Sequence, residues 1–340
     1  MVAKRIGPDV SQFSQPFVSG PTPEHPERRE RTPNEQGEGS RLHLHLIGPN
    51  REFVRTTETP PHTDRVRPVA TLPAVPELPE VETVRRGLAP LVTGRRIQNA
   101  GSHPSDRFQA AIEAEGHVIT GVDRRGKYLL VTLDDGRRLV VHLGMTGQLR
   151  VDPEFTPADR YDRAWWNLDD GTRLALRDVR RFGRVAVVDQ DLSSLPTLAA
   201  LGPEPFDAEF TPASLWSALR RSSQPVKTQL LSQRPVAGVG NIYADEALWS
   251  ARLHPASRRI SRPAATRLHA AIREVLSAGI DNGGTTLRDY RAVDGSTGSN
   301  QLHLACYGRA GEPCPRCQTT LRRSVVAGRG TTHCPTCQRR

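Results

Sequence analysis

No stretch of eighteen apolar residues occurs anywhere in the 340-residue chain, and no basic, apolar and small-residue leader precedes its first motif. The first absence excludes a membrane-spanning helix and the second argues against secretion, so the expectation is a soluble protein of the cytoplasm or nucleoid. Cysteine is also scarce: there are five, and four of them fall in the last 27 residues. Such crowding does not fit a disulfide framework and points to a metal site in a reducing compartment. Acidic residues are outnumbered, 37 against 47 basic, leaving a formal charge of +10 and a pI near 10.0. A basic balance of this size implies an anionic partner, most often nucleic acid, because lysine and arginine along a phosphate backbone release condensed counterions.

Residues 1–74 contain 11 of the 28 prolines and nearly balanced charge, 10 basic against 9 acidic. With few apolar clusters they read as a disordered extension. Residues 75–340 therefore carry about +9 and the periodicities of a folded protein. Pro79 can open a helix whose apolar face is Val81, Val84, Leu88 and Leu91. Strand-like runs follow at 117–122, 127–133 and 138–143, the last two joined by Asp134-Asp135-Gly136. The pattern repeats at 165–168 and 173–176 around Asp169-Asp170-Gly171, and a further run spans 183–188, which predicts a β-sandwich. After about residue 202 the period becomes helical, at 214–221, 227–233, 241–249 and 264–278. The glycine-rich link 235–240 leads to Asn241 at a helix start, where free amides can hold a phosphate or Asn241 can merely cap the helix.

Cys314-Pro-Arg-Cys317 and Cys334-Pro-Thr-Cys337, sixteen residues apart, have the spacing of a tetrahedral Zn2+ site. Four thiolates leave no open position for water, so the expected zinc is one structural ion coupled to folding of the last forty residues. Cys306 lies outside the pattern and reads as a small buried residue.

Val75-Pro-Glu-Leu-Pro-Glu at 75–80, Arg-Arg-Gly-Lys-Tyr at 124–128, His-Leu-Gly-Met-Thr-Gly at 142–147, Arg-Arg-Phe-Gly at 180–183, Gly-Val-Gly-Asn-Ile-Tyr at 238–243, Tyr-Gly-Arg at 307–309 and the four-cysteine finger together resemble the formamidopyrimidine glycosylase/endonuclease VIII family. The resemblance covers nearly all of residues 75–340. It implies an α+β multidomain fold: a catalytic β-sandwich at 75–202, a helix-two-turn-helix DNA-binding domain at 203–300 and a zinc finger at 301–340. It also implies a monomer that acts on damaged double-stranded DNA in base excision repair, as glycosylase and abasic-site lyase.

In that family an N-terminal proline amine is the nucleophile. Its attack on the sugar C1′ yields an iminium, an electron sink for successive β- and δ-elimination. The matching residue, Pro76, has a peptide nitrogen with no lone pair to give while residues 1–75 precede it. Val75 stands where the family has its initiator methionine, so the expectation is that residues 1–74 are upstream sequence translated from the wrong start. A genuine extension cleaved before Pro76 is the rival.

By the same resemblance Glu77 handles a proton during ring opening, Lys127 assists β-elimination, and Arg329 grips phosphate. Unaided, a strand lysine is ordinarily surface charge and a glutamate beside proline a solvated turn residue. Met145, Arg180 and Phe182 match the trio that fills the void left by an everted base. Asn241 and Lys227 match DNA-facing residues of the helical domain, and Glu246 fixes the loop below Asn241. Tyr161 stands where the family usually has a DNA-contacting histidine.

Further departures are Val179 for a proline, Ser222 and Ser223 for lysines, and Asn300 for a phenylalanine in the loop that caps the everted purine. Since Asn300 cannot stack as phenylalanine does, the sequence predicts weakened preference for 8-oxoguanine. The alternatives are an endonuclease VIII-like enzyme for oxidised pyrimidines, or a catalytically silent DNA-binding protein if Pro76 stays blocked.

Overall fold

The computed structural model describes residues 75–340 apart from 154, 155, 158 and 287–290, so the reading of 1–74 as disordered lies outside the described residues. Ten strands and six α-helices occur among them: β1 Ile97–Ser102, β2 Ile119–Arg125, β3 Tyr128–Leu133, β4 Arg138–His142, β5 Gly147–Pro153, β6 Asp162–Leu168, β7 Thr172–Asp178, β8 Arg184–Val188, β9 Arg322–Val326 and β10 Arg329–His333. The helices are α1 Leu78–Val92, α2 Pro196–Ala199, α3 Pro212–Arg220, α4 Val226–Leu231, α5 Asn241–Ser250 and α6 Arg262–Asp281.

Strands β1 to β8 form two four-stranded antiparallel sheets, ordered β1-β6-β7-β5 and β2-β3-β4-β8. Alternating side chains such as Leu129, Val131, Leu139, Leu174 and Leu176 fill the space between them around Trp166, as a sandwich requires. Both Asp-Asp-Gly segments are tight connections, with Gly136 and Gly171 at positive φ.

Helix α1 joins two cores. Val81, Val84, Leu88 and Val92 pack in the sandwich, whereas Leu78 enters the helical core with Val226, Leu230, Ile242 and Tyr243. Leu91, expected on the apolar face, is 45% exposed, and Val92 takes its place. Burying a leucine or valine is worth about 1.5–3 kcal/mol, so the two ends of this helix are held by different domains. The residue just before it, Glu77, is thereby fixed at their junction.

The β9–β10 hairpin belongs to the C-terminal finger and packs on α5. No helix among the described residues is long and apolar enough to cross a membrane.

Candidate active site and DNA-facing elements

Glu77 is 2% exposed, and its carboxylate accepts hydrogen bonds from the backbone N–H groups of Gly240 (2.7 Å), Ile242 (2.8 Å) and Tyr243 (3.3 Å). The amides at the start of α5 are therefore closed by a side chain from 163 to 166 residues upstream. They are not free to hold a phosphate, which corrects that reading of the glycine-rich link. Gly240 is demanded by this contact: a Cβ there would lie 2.3 Å from the Glu77 carboxyl carbon. Asn241, placed in the first turn of α5, donates through Nδ2 to the carbonyl of Gly330 instead of capping its own helix.

Glu80, three residues after Glu77, is the second buried acid. It accepts from the Glu77 N–H (2.9 Å), the Tyr243 hydroxyl (2.9 Å) and the Thr285 N–H (2.6 Å). Desolvation pushes the Glu80 carboxyl up to about 7, and the neighbouring Glu77 adds to the rise. Burial likewise raises Glu77, against the pull of Lys127 and three amide donors. Lys127 is depressed by burial and by Arg329, while Glu77 and Glu80 oppose the fall. Two acids raised and one amine lowered bring three groups toward neutral pH, where proton exchange with a substrate is most efficient.

Lys127 lies in the two-residue loop between β2 and β3, since Arg125 pairs with Tyr128. Its place is set from the helical side. Glu204 accepts from Arg125 (2.8 Å), Arg124 (2.7 Å) and the Gly126 N–H (2.6 Å), and Arg124 also pairs with Glu82 of α1 (3.1 Å).

Met145 and the 180–182 segment are brought together by Asp178, which is fully buried at the end of β7. Asp178 accepts from Thr146 Oγ1 and from the Arg180 and Gly183 N–H groups. Close contact also fixes Gly144, because a Cβ there would stand 2.5 Å from the Phe182 carbonyl carbon and the Gly183 nitrogen. Met145 is half-buried, Phe182 is 46% exposed, and the Arg180 guanidinium lies 4.6 Å from the Phe182 ring centroid. An apolar wedge beside a cation is the arrangement needed to enter a base step. Tyr161 is half-buried, its hydroxyl accepts from Arg160, and Arg163 and Arg177 also face its ring.

Lys227 departs from expectation. Its side chain is fully buried and its ammonium pairs with Asp245 (2.6 Å), donating also to Thr331 Oγ1 (2.8 Å) and the Gly330 carbonyl (3.1 Å). Instead of facing DNA, it anchors β10 and hence exposed Arg329 at the strand's start. The other Asp245 oxygen accepts from the Thr332 N–H. Glu246 is structural but grips a different segment, the amides of Ala305, Cys306 and Tyr307.

Asn300 is also revised. It is 4% exposed and donates to Thr285 Oγ1 (2.8 Å) and the Tyr243 hydroxyl (3.3 Å), while Asn282 donates to its Oδ1 (3.2 Å). It braces the residues around Glu80 from inside, so its inability to stack on a purine gives no ground for altered lesion preference.

The sulfur atoms of Cys314, Cys317, Cys334 and Cys337 all lie within 4.8 Å of one another, with 3.4 Å from Cys317 to both Cys334 and Cys337. A tetrahedron with Zn–S bonds of about 2.3 Å has edges of about 3.8 Å, so the donor set fits one structural Zn2+. Cys306 is buried beside this group with its thiol on the Thr332 carbonyl and is no ligand.

Sequence reading missed Glu80, Tyr243, Thr285, Asp178 and Glu204. Only Glu80 carried a local signal, as an acid three residues after a helix-capping position.

A sandwich joined through one shared helix to a helical domain, with a four-thiolate finger docked on it, is the architecture of a DNA-glycosylase family. Family models agree along the chain: the formamidopyrimidine-DNA glycosylase N-terminal domain at residues 75–185, its H2TH domain at 201–291, and a zinc finger found in FPG and IleRS at 311–340. Formamidopyrimidine-DNA glycosylase of Deinococcus radiodurans is 46% identical over 278 residues, covering 78% of this chain and 97% of that one. The Thermus thermophilus protein of the same name is 48% identical over 269 residues, covering 78% and 98%. Among solved structures, MutM (FPG) of Thermus thermophilus matches with a TM-score of 0.72 at 47% identity, over 77% of this chain and 98% of that chain. A Lactococcus lactis FPG mutant in complex with Fapy-dG containing DNA matches with 0.73 at 37% identity, over 78% and 100%. The chain belongs to the formamidopyrimidine-DNA glycosylase family.

Proposed function

We propose that this protein is a bifunctional DNA glycosylase and abasic-site lyase of base excision repair, removing oxidised purines from duplex DNA where the chromosome lies. The observation that carries the reading is the buried triad of Glu77, Glu80 and Lys127 next to Pro76, with Arg329 close enough to act on the Lys127 amine. Related structures holding Fapy-dG or abasic-site DNA support the substrate class.

In this reading the lesion nucleotide is everted, Met145 and Phe182 enter the gap, and Arg180 bonds the orphaned partner base. The Pro76 nitrogen attacks C1′ while the N-glycosidic bond breaks, and Glu77 gives its proton to the opening sugar or departing base. The iminium then makes the C2′ proton acidic. Lys127 takes part in that transfer, the 3′ phosphate leaves, and Arg329 holds phosphate for the second elimination. Every step needs Pro76 as a free secondary amine, so residues 1–75 must be absent from the active species.

Borohydride trapping on an abasic-site duplex tests this by comparing the 340-residue chain with a form whose mature first residue is Pro76. The expected outcome is an adduct with the shorter form only. Equal trapping by both without proteolysis would make a lysine, foremost Lys127, the nucleophile and overturn the Pro76 mechanism.

A further inference from the structure

Away from Glu77, a cavity of about 480 Å3 opens between the end of α3, the α3–α4 loop and the start of α6. It is lined by Trp216 and five arginines, Arg220, Arg221, Arg258, Arg259 and Arg262. All five are exposed, and none forms an ion pair among the described residues. Other arginines, such as Arg85, Arg124, Arg125 and Arg177, are held in ion pairs.

We propose that this cavity is a phosphate-binding site for the backbone of the DNA duplex beyond the lesion, extending the footprint of the enzyme proposed above. Three independent features support it. The guanidinium carbons of Arg220 and Arg262 stand 4.6 and 4.5 Å from the Trp216 ring centroid, and the indole N–H is tied to the Ile260 carbonyl at 3.3 Å. A fixed ring thus holds two guanidiniums with their N–H edges available, the geometry that suits phosphate. The start of α6, a 20-residue helix, faces the cavity with Ser261 as its cap and no acidic residue in its first turn. Pro263 has no N–H and Ser261 accepts those of Ala264 and Ala265, so the Arg262 N–H and the helix dipole are what favour an anion there. Finally, the basic lining continues. A neighbouring cavity of about 450 Å3 shares Arg258 and Arg259 and adds Arg340, the last residue of the zinc finger.

A long polyanion fits these features better than a mononucleotide. The one aromatic ring of the cavity already carries the guanidiniums of Arg220 and Arg262, which compete with a base for its faces, whereas the two adjoining cavities bring six arginines together. Serines at 222 and 223 line the same cavity, so the charge missing from those two positions is restored around them.

The test measures duplex binding by fluorescence anisotropy across a salt series, for the full chain and for Arg258→Gln/Arg259→Gln and Arg220→Gln/Arg262→Gln. Thermal melting confirms that each variant is folded. On an undamaged duplex of about 30 base pairs each double variant should flatten the slope of log K against log salt by about 2, and weaken binding roughly tenfold at about 0.1 M salt. On an abasic-site duplex of about 12 base pairs, affinity should stay unchanged. An unchanged slope on the long duplex would make the patch a solvated face, and equal losses on both duplexes would place these arginines within the lesion footprint. Calorimetric binding of inorganic phosphate or a nucleoside monophosphate that the variants lose, with duplex binding intact, would assign the cavity to a small anion. Each of these three results overturns the proposal. Failure of the form whose first residue is Pro76 to bind the short abasic duplex would instead sink the functional reading beneath it.

Discussion

Two helix N-termini in this protein are used in opposite ways. The start of α5 is buried and its amides are taken by the Glu77 carboxylate from another domain. The start of α6 is exposed, capped by Ser261, and ringed by arginines that form no ion pair among the described residues. The same dipole holds the chain together at one place and is left open to solvent at the other. The comparison teaches that exposure, more than the helix end itself, separates an anion site for the chain's own acid from one for an outside ligand. Substitutions near α5 should accordingly cost stability or chemistry, and those near α6 affinity alone.

Glu77→Gln carries the largest expected effect on rate. The amide keeps the size of the side chain but not the transferable proton, so single-turnover release of formamidopyrimidine by the Pro76-first form should fall about 10²–10⁴-fold. Duplex affinity should change little. A rate within a few fold of the parent would reduce Glu77 to the cap of α5 and nothing more.

Lys227→Met comes next and measures the interior directly. It leaves Asp245 as an uncompensated buried charge, a loss of about 3–5 kcal/mol, seen as a lower denaturation midpoint. Arg258→Gln, in the α6 region, should stay within about 0.5 kcal/mol. Comparable losses for the two would erase the distinction between the regions.

Glu80→Gln sharpens the comparison through pH. The Glu80 carboxyl sits at about 7 in the fold against 4.5 in a free chain, so the folded state binds more protons between those values. Stability from this group is full below pH 4.5 and is lost as pH rises to about 7, by about 3 kcal/mol. Urea titrations between about pH 5 and 8 should show this decline in the parent and a flatter profile in Glu80→Gln. Parallel profiles would mean that Glu80 ionises normally despite its burial.

The sandwich and the helices were legible in the sequence where local chemistry decides them. Two Asp-Asp-Gly turns between alternating strands announce two hairpins, and the apolar spacing of α6 announces a long amphipathic helix. Strand β1, Ile-Gln-Asn-Ala-Gly-Ser, has no alternation and was not readable, since only pairing with β6 makes it a strand. The zinc ligands were legible because all four lie within 24 residues at fixed spacing. The residues proposed to be catalytic were suggested by family resemblance, but their settings were not legible. What closes over Glu77, buries Lys227 and encloses Asn300 comes from segments far along the chain, the β10 contacts of Lys227 being 103 and 104 residues away. Long-range packing of this kind leaves no periodic trace.

Asn300 provides the smallest and most discriminating test. Read from sequence alone it belongs to the loop over the everted base, and its polarity should then alter the choice of lesion. In the fold it is an interior brace, bonded to Thr285, Tyr243 and Asn282, and two of these partners also hold Glu80. Asn300→Ala strips those partners of a buried hydrogen bond, which costs about 1–3 kcal/mol of stability. The ratio of 8-oxoguanine to abasic-site cleavage should not move, because the side chain does not reach the substrate surface. A several-fold change in that ratio with an unaltered melting temperature would return Asn300 to the lesion loop. It would also show that this interior segment is remodelled when DNA binds.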